Sequence, residues 1–163
     1  MTNDMFENVF TLDDLVEKRE NLRSEGKKVV FTNGCFDFIH RGHVEYLKEA
    51  KKLGDFLIVA VNTDASVNRL KGRGRPVINE EDRAAVLASL RYVDAVCFFD
   101  EDTPEKTIAA LHPDILVKGA DYKVEEIVGH EQVLAEGGEV IPVPLVPGRS
   151  TTEIIKQIRN LPD

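Results

Sequence analysis

Two histidines three residues apart, His40 and His43, flank Gly42 in the stretch TNGCFDFIHRGH, Thr32 to His43. Three residues is close to one helical turn, so both imidazoles share a face if a helix starts there. The run before it, KVVFT, is β-branched and aromatic, and the run after it places Val44, Leu47, Ala50 and Leu53 at helical spacing. Strand, glycine loop and helix start therefore coincide, and the free N–H groups and positive dipole end of a helix start suit phosphate. Two imidazoles there can donate hydrogen bonds to phosphate oxygens and offset charge that develops in transfer, with Gly42 leaving room for the phosphate to approach. Capping or packing is the structural alternative for the pair. Metal binding is a weaker rival, because no His is nearby to make a third ligand and Cys35 stands at no metal-type spacing.

Other polar residues sit where strands end. Lys118 follows the apolar run Asp114–Val117 and precedes Gly119, the kind of position where parallel sheets place ligand contacts. Asp64, in VNTDAS after FLIVAV, suits a ribose or substrate contact, or a cap on the helix that follows. Ser150, Thr151 and Thr152 open the last helix; they cap it and present hydroxyls and free N–H groups to a nucleotide. Asp37 either orients a histidine or fixes the turn. His112, before Pro113, reads as a helix C-terminal cap or a surface residue, and His130 carries no usable signal. Cys35 and Cys97 have apolar surroundings and no metal-type spacing, so they read as small buried residues in a reducing compartment.

The elements that position these residues alternate. A helix is expected at 12–25, stopped by Gly26, then strand Lys28–Thr32 broken by Asn33-Gly34, the helix after His40, and strand Phe56–Val61. Next come helix 80–90, strand 95–99, helix 104–111, strand 114–117, helix 125–135, strand 139–143 and helix 151–160. Strands separated by helices require crossovers, hence a parallel sheet with helices on both faces, and uninterrupted apolar runs such as FLIVAV mark strands covered on both sides. The fold class is a doubly wound α/β domain whose ligands bind beyond the carboxyl ends of the strands.

Composition narrows the function. At 163 residues the chain has room for one core without disulfides, and 42% hydrophobic with 31% charged residues is ordinary for a globular domain. A formal net charge of -8 supplies no basic face, so no nucleic-acid partner is expected. The opening stretch MTNDMFENVF has no basic region followed by an apolar run, and no segment approaches a membrane span. A cytoplasmic chain without a membrane partner is the expectation.

His40-Arg41-Gly42-His43 resembles the HxGH signature of the nucleotidyltransferase superfamily of cytidylyltransferases and adenylyltransferases, and Asn33-Gly34-Cys35-Phe36-Asp37 resembles the flank before it. Later stretches resemble family motifs in the right order: Arg69–Gly72 with Arg75-Pro76 and Glu81–Arg83, then Val117–Tyr122, then Ser150–Thr152. RLKGRGRPV, DTPEKTI, LVKGADY, GGEV and STTEIIKQI are most similar to the heptose 1-phosphate adenylyltransferases of ADP-heptose synthesis. The resemblance implies a Rossmann-like nucleotidyltransferase domain at 28–163 behind a helical prefix at 1–27. It implies ATP and D-glycero-β-D-manno-heptose 1-phosphate as substrates, Mg²⁺ with the ATP, pyrophosphate release, a possible homodimer, and a separate sugar kinase in the same pathway, with this chain a stand-alone adenylyltransferase.

By the same resemblance His40 and His43 bind the triphosphate and stabilise the transition state. Lys71 and Arg83 are candidates for substrate phosphate and triphosphate respectively, against a reading as solvated surface charges. Thr32, Asn33, Gly34, Phe36, Asp37, Gly42, Lys118, Gly119, Ser150, Thr151 and Thr152 are implied on the nucleotide, and Asp64, Lys71 and Asp121 on the sugar phosphate; no residue is implied as a metal ligand. Glycerol-3-phosphate cytidylyltransferases carry Arg-Thr-x-Gly-Ile before Ser-Thr, where this chain reads Leu145-Val146-Pro147-Gly148-Arg149. Loss of the first two polar residues favours adenine over cytosine and leaves Arg149 without an assigned contact. A glycerol-3-phosphate-type cytidylyltransferase and a non-catalytic nucleotide-binding module are the alternatives.

Overall fold

A computed structural model describes residues 6–162; the start of the stretch inspected for a leader lies outside these. Strands β1 (Val29–Gly34), β2 (Phe56–Asn62), β3 (Ala95–Phe99), β4 (Ile115–Gly119) and β5 (Glu139–Val143) form one sheet in the order β3-β2-β1-β4-β5. Every pairing is parallel. The chain first winds outward from β1 through β2 to β3, then crosses back to place β4 on the other side of β1. The strand order thus reverses between β1 and β4, which is where such sheets open a crevice at their carboxyl ends.

Alternation along each strand divides the core in two. Val30, Leu57, Val59, Val61, Val96 and Val117 face the layer built by Tyr46, Leu47 and Ala50 of α2 (Arg41–Lys51) and Ala84 and Leu87 of α4 (Glu80–Ala88). Val29, Phe31, Ile58, Ala60, Cys97 and Leu116 face Leu15 and Leu22 of α1 (Leu12–Ser24), Ile108 and Leu111 of α5 (Glu105–Leu111) and Val133 of α6 (His130–Ala135). Two covered faces explain why FLIVAV has no polar alternation. Burying each of these side chains contributes on the order of 1.5–3 kcal/mol. Beyond β3, Val9 bridges to Val96, and residues 8–10 donate to and accept from Val96, so this segment occupies the sheet's outer edge.

Several boundaries differ from the sequence reading. Asn33-Gly34 continues β1, paired with Ala60 and Val61, because neither residue takes a turn conformation; Asn-Gly turns only where φ is positive. Lys118 and Gly119 likewise belong to β4, paired with Pro142 and Val143 of β5. The single helix expected at 125–135 is a 3-10 turn at Val124–Glu126 followed by α6, interrupted by Gly129 at φ 86. Between strand Phe56–Val61 and helix 80–90 the sequence reading gives no element bounds; α3 (Asp64–Lys71) lies there, Arg69 to Lys71 form its last turn, and Gly72 ends it at φ 89. Helix α7 (Thr151–Arg159) closes the described chain.

Candidate active site

The histidines define the geometry. His40 is the N-cap of α2, and its Nδ1 accepts from the Gly42 N–H at 3.0 Å. His43, one turn on, accepts the His40 N–H through its own Nδ1 at 3.3 Å. The two rings therefore form a reciprocal capping box and lie 3.9 Å apart, centroid to centroid. Each Nδ1 has its lone pair occupied by a backbone N–H, so each neutral ring carries its proton on Nε2. The rings therefore do cap α2, and capping fixes the tautomer that leaves an Nε2–H free to donate. It also leaves neither ring a lone pair for a metal.

Burial holds His43 in its neutral form, with its pKa pushed down to about 4 and His40 acting in the same direction. The His40 imidazole is also lowered, first by burial and then by the Arg149 guanidinium. The sign follows directly for His43. The unfolded chain takes up a proton near its ordinary value of 6.5, and the folded chain only near 4, so the unfolded state binds more protons between them. Stability from this group is intact above about 6.5 and declines as pH falls toward about 4. Thermal midpoints of the wild type should drop across that window more than those of His43→Asn, and parallel curves would remove the assignment.

Gly42 has a different task from the one expected. A Cβ there would stand 2.8 Å from His40 Cε1 and 2.9 Å from its Nδ1, so the space beside Gly42 holds the imidazole itself. Gly42→Ala must expel that ring from its capping position. Turnover should fall by about 10²-fold through misplacement while the melting temperature changes little; wild-type turnover in a folded Gly42→Ala protein would contradict this geometry.

Two adjoining cavities meet beside these rings, at the carboxyl ends of β1 and β4. Asn33, Gly34, Phe36, His43, Lys71, Lys118 and Thr151 line both. The first, of about 550 Å³, adds Asp37, Leu70, Arg75, Asp102, Thr103, Glu126 and Thr152. The second, of about 420 Å³, adds His40, Gly42, Gly119, Asp121, Leu145, Val146, Arg149 and Ser150. Lys118 spans the reversal point, donating from Nζ to the Asn33 carbonyl at 2.9 Å and to its Oδ1 at 3.1 Å. Burial pushes this lysine down to about 8. The side chain of Lys71, at the end of α3, is exposed. Ser150 caps α7 by accepting from the Glu153 N–H, and Thr151 Oγ1 donates to the Phe38 carbonyl.

Phe36 sits at φ 50 with its buried ring 5.3 Å from His43. A left-handed aromatic costs on the order of 1 kcal/mol. Gly34 permits it, since a Cβ there would meet the ring at 3.0 Å. Gly119 similarly leaves space for the Asp121 carboxylate, which a Cβ would approach to 2.6 Å.

Arg83, Asp64 and Thr32, named from sequence, hold the site rather than face it, and Asp37 holds it from the wall of the first cavity. Arg83 is 1% exposed, and its guanidinium donates to the carbonyls of Ile78, Cys35 and Asn62 and to Asp64 Oδ1. Four of its five N–H donors are spent on protein and the side chain is buried, which corrects the assignment to the triphosphate. Asp64 is thereby its partner, in the first turn of α3, while Thr63 is that helix's cap. Thr32 is fully buried, with its hydroxyl 2.7 Å from that of Tyr46. Asp37 touches neither histidine: its carboxylate accepts from Arg75 Nε and from the Val77 and Ile78 N–H groups, and these contacts hold it below the usual carboxylate range against the opposing effect of burial.

Arg75, Asp102 and Thr103 were quoted as motif residues in sequence but given no role. Asp102 and Thr103 lie just past β3, and the rule that ligands gather at carboxyl strand ends was the signal for them. Arg69 fastens that segment to α3 through Asp102 at 2.9 Å and through the Asp100 carbonyl.

The crevice at the reversal point is thus lined by both histidines and by Lys71 and Lys118, where a parallel sheet of this order takes its ligand, and the comparisons with known proteins give its class as a nucleotidyltransferase. The chain belongs to the cytidylyltransferase-like family, whose model matches residues 31–157. Among its relatives, the bifunctional protein HldE of Methylobacillus flagellatus is 51% identical over 93% of this chain and 31% of that protein. Its counterpart in Citrifermentans bemidjiense is 57% identical over 90% of this chain and 30% of that protein. The chain thus spans about a third of the length of these relatives. A lipopolysaccharide core biosynthesis protein from Thermoplasma volcanium matches in structure with a TM-score of 0.61 and 36% identity, over 74% of this chain and 98% of that one. Among the described residues no helix is long and apolar enough to cross a membrane.

Proposed function

We propose that this chain is an ATP-dependent adenylyltransferase that converts D-glycero-β-D-manno-heptose 1-phosphate to ADP-heptose and releases pyrophosphate. The observation that carries the reading is the pair of imidazoles whose protons are fixed on Nε2 between two joined cavities. The likeness to bifunctional HldE proteins and to a lipopolysaccharide core biosynthesis protein supports the choice of sugar. An oxygen of the sugar 1-phosphate attacks the α-phosphorus of ATP, and the bond from that phosphorus to the bridging oxygen breaks. Both electrons leave with pyrophosphate. The attacking phosphate is already an anion, so no side chain has to accept a proton, and the protein's task is positioning and charge compensation.

In this reading Lys71 and Lys118 draw the acceptor phosphate toward the histidines, and Asp121, which borders only the second cavity beside Leu145 and Val146, is assigned to the nucleotide rather than to the sugar phosphate. The apolar side chains of Leu145 and Val146 form a wall for the base, and Ser150, Thr151 and Thr152 present α7 to the nucleotide. Asn33, Gly34, Phe36, Gly42 and Gly119 shape the floor. Mg²⁺ arrives with ATP, ligated by phosphate oxygens and water. A cytoplasmic location, a homodimer and a sugar kinase that supplies the 1-phosphate complete the proposal.

The test is pyrophosphate release from heptose 1-phosphate with ATP and CTP in separate reactions, with the sugar nucleotide weighed by mass spectrometry. ATP alone should turn over. Turnover with CTP alone overturns the base, and silence with every sugar 1-phosphate overturns the acceptor.

A further inference from the structure

Arg149 is the residue the sequence left without a contact. It directly precedes the Ser150 cap of α7 and is exposed. Its Cβ lies within 3.1 Å of where a Gly42 side chain would begin, so it stands against the first turn of α2 on the His40 side. Its positive charge reaches the His40 ring. Among the described residues, no carboxylate or carbonyl pairs with its guanidinium, whereas Arg19, Arg69, Arg75 and Arg83 are all engaged.

The cavities divide the cations. Lys71 and Lys118 border both, Arg75 only the first, and Arg149 only the second. Displacement at phosphorus requires the attacking and departing oxygens to lie roughly in line. With the α-phosphorus beside His43, which borders both cavities, an acceptor phosphate drawn in by Lys71 and Arg75 approaches from the first. The leaving group must then depart on the side of the second, where the His40 ring is a neutral donor and Arg149 carries the charge. A planar guanidinium with free donors matches a diphosphate by paired hydrogen bonds, which an ammonium cannot do.

We propose that Arg149 is a catalytic residue that binds the β- and γ-phosphates of ATP and stabilises the departing pyrophosphate. This inference rests on the adenylyltransferase reading above. As the α-phosphorus–oxygen bond breaks, its electron pair passes to the bridging oxygen, and the negative charge gathered there meets the guanidinium.

The experiment compares wild type with Arg149→Gln and Arg149→Lys. Each is measured for forward turnover with ATP and sugar 1-phosphate, and for direct binding of inorganic pyrophosphate by calorimetry. Arg149→Gln should lose roughly 10²-fold in kcat/KM for ATP and bind pyrophosphate at least about tenfold more weakly. The KM for the sugar phosphate should stay within about twofold, and Arg149→Lys should recover only part of the loss. Unchanged pyrophosphate affinity in a variant with the wild-type melting curve overturns the proposal. So does a loss confined to the sugar phosphate KM, or one that appears only as a changed ratio of ATP to CTP use, which would assign Arg149 to the base. Failure of the wild type to turn over any sugar 1-phosphate would sink the adenylyltransferase reading instead, while the pyrophosphate titration still reads Arg149.

Discussion

Replacing His43 by alanine should lower kcat by about 10²- to 10³-fold and leave a folded protein. In the proposed reaction the ring donates through Nε2 to the phosphate on which charge develops, and the Lys118 ammonium, held by the Asn33 carbonyl and Oδ1, does not replace it. The structural loss is modest: the bond from the His40 N–H to Nδ1, at 3.3 Å, disappears, worth about 1 kcal/mol as a cap, together with the ring's packing on Phe36 and His40. Tyr46, Leu47 and Ala50 still anchor α2 in the core. Steady-state rates alongside thermal melts separate the two effects. A folded variant with near-normal turnover would strip His43 of its role.

The second large effect is on stability. Arg83→Leu should cost roughly 3–5 kcal/mol, because deleting one partner leaves buried groups unpaired. The carbonyls of Cys35, Asn62 and Ile78 and the carboxylate of Asp64 all lose a charged donor at once. These four come from the loop after β1, the end of β2, the segment before α4 and the start of α3, so one side chain fastens together the whole carboxyl end of that half of the sheet. Denaturant titration should show a midpoint far below wild type, or a protein that does not accumulate. A variant that melts like wild type and shows only a raised KM for ATP would return Arg83 to the triphosphate.

The contrast between these residues explains what could be read in advance. The alternation of elements was legible because hydrophobic pattern alone dictates it: FLIVAV has to be a strand with two covered faces, and Val44, Leu47, Ala50 and Leu53 at helical spacing after His40 have to give α2. The crevice was legible because parallel sheets open at the carboxyl ends of their strands. Which charges face the crevice was not. Arg83 and Lys71 stand in equivalent positions near motif glycines and acids, yet one is 1% exposed and the other lies open to solvent. That outcome depends on where a side chain points from its helix, and the sequence pattern gives α3 no bounds around Lys71. Asp37 shows the same limit: its partners, Arg75, Val77 and Ile78, lie some forty positions along the chain, and no local pattern announces them.

The break at Gly129 was hidden for another reason. Glycine inside a helical pattern is tolerated often enough to be passed over, and only its positive φ, packed against Ile108, divides the segment. The Asn33-Gly34 pair misled in the opposite direction, since a favoured turn sequence was held extended by β2.

The reciprocal cap at the start of α2 has a consequence for replacement chemistry. Each ring must accept a hydrogen bond from the main chain on one side and offer a donor to solvent space on the other, in directions that diverge across a rigid five-membered frame. Asparagine and glutamine own both kinds of group but branch them from a single carbon, and lysine or arginine can only give. No other natural side chain satisfies both demands at either position, so a search for functional substitutes at 40 or 43 should return histidine alone.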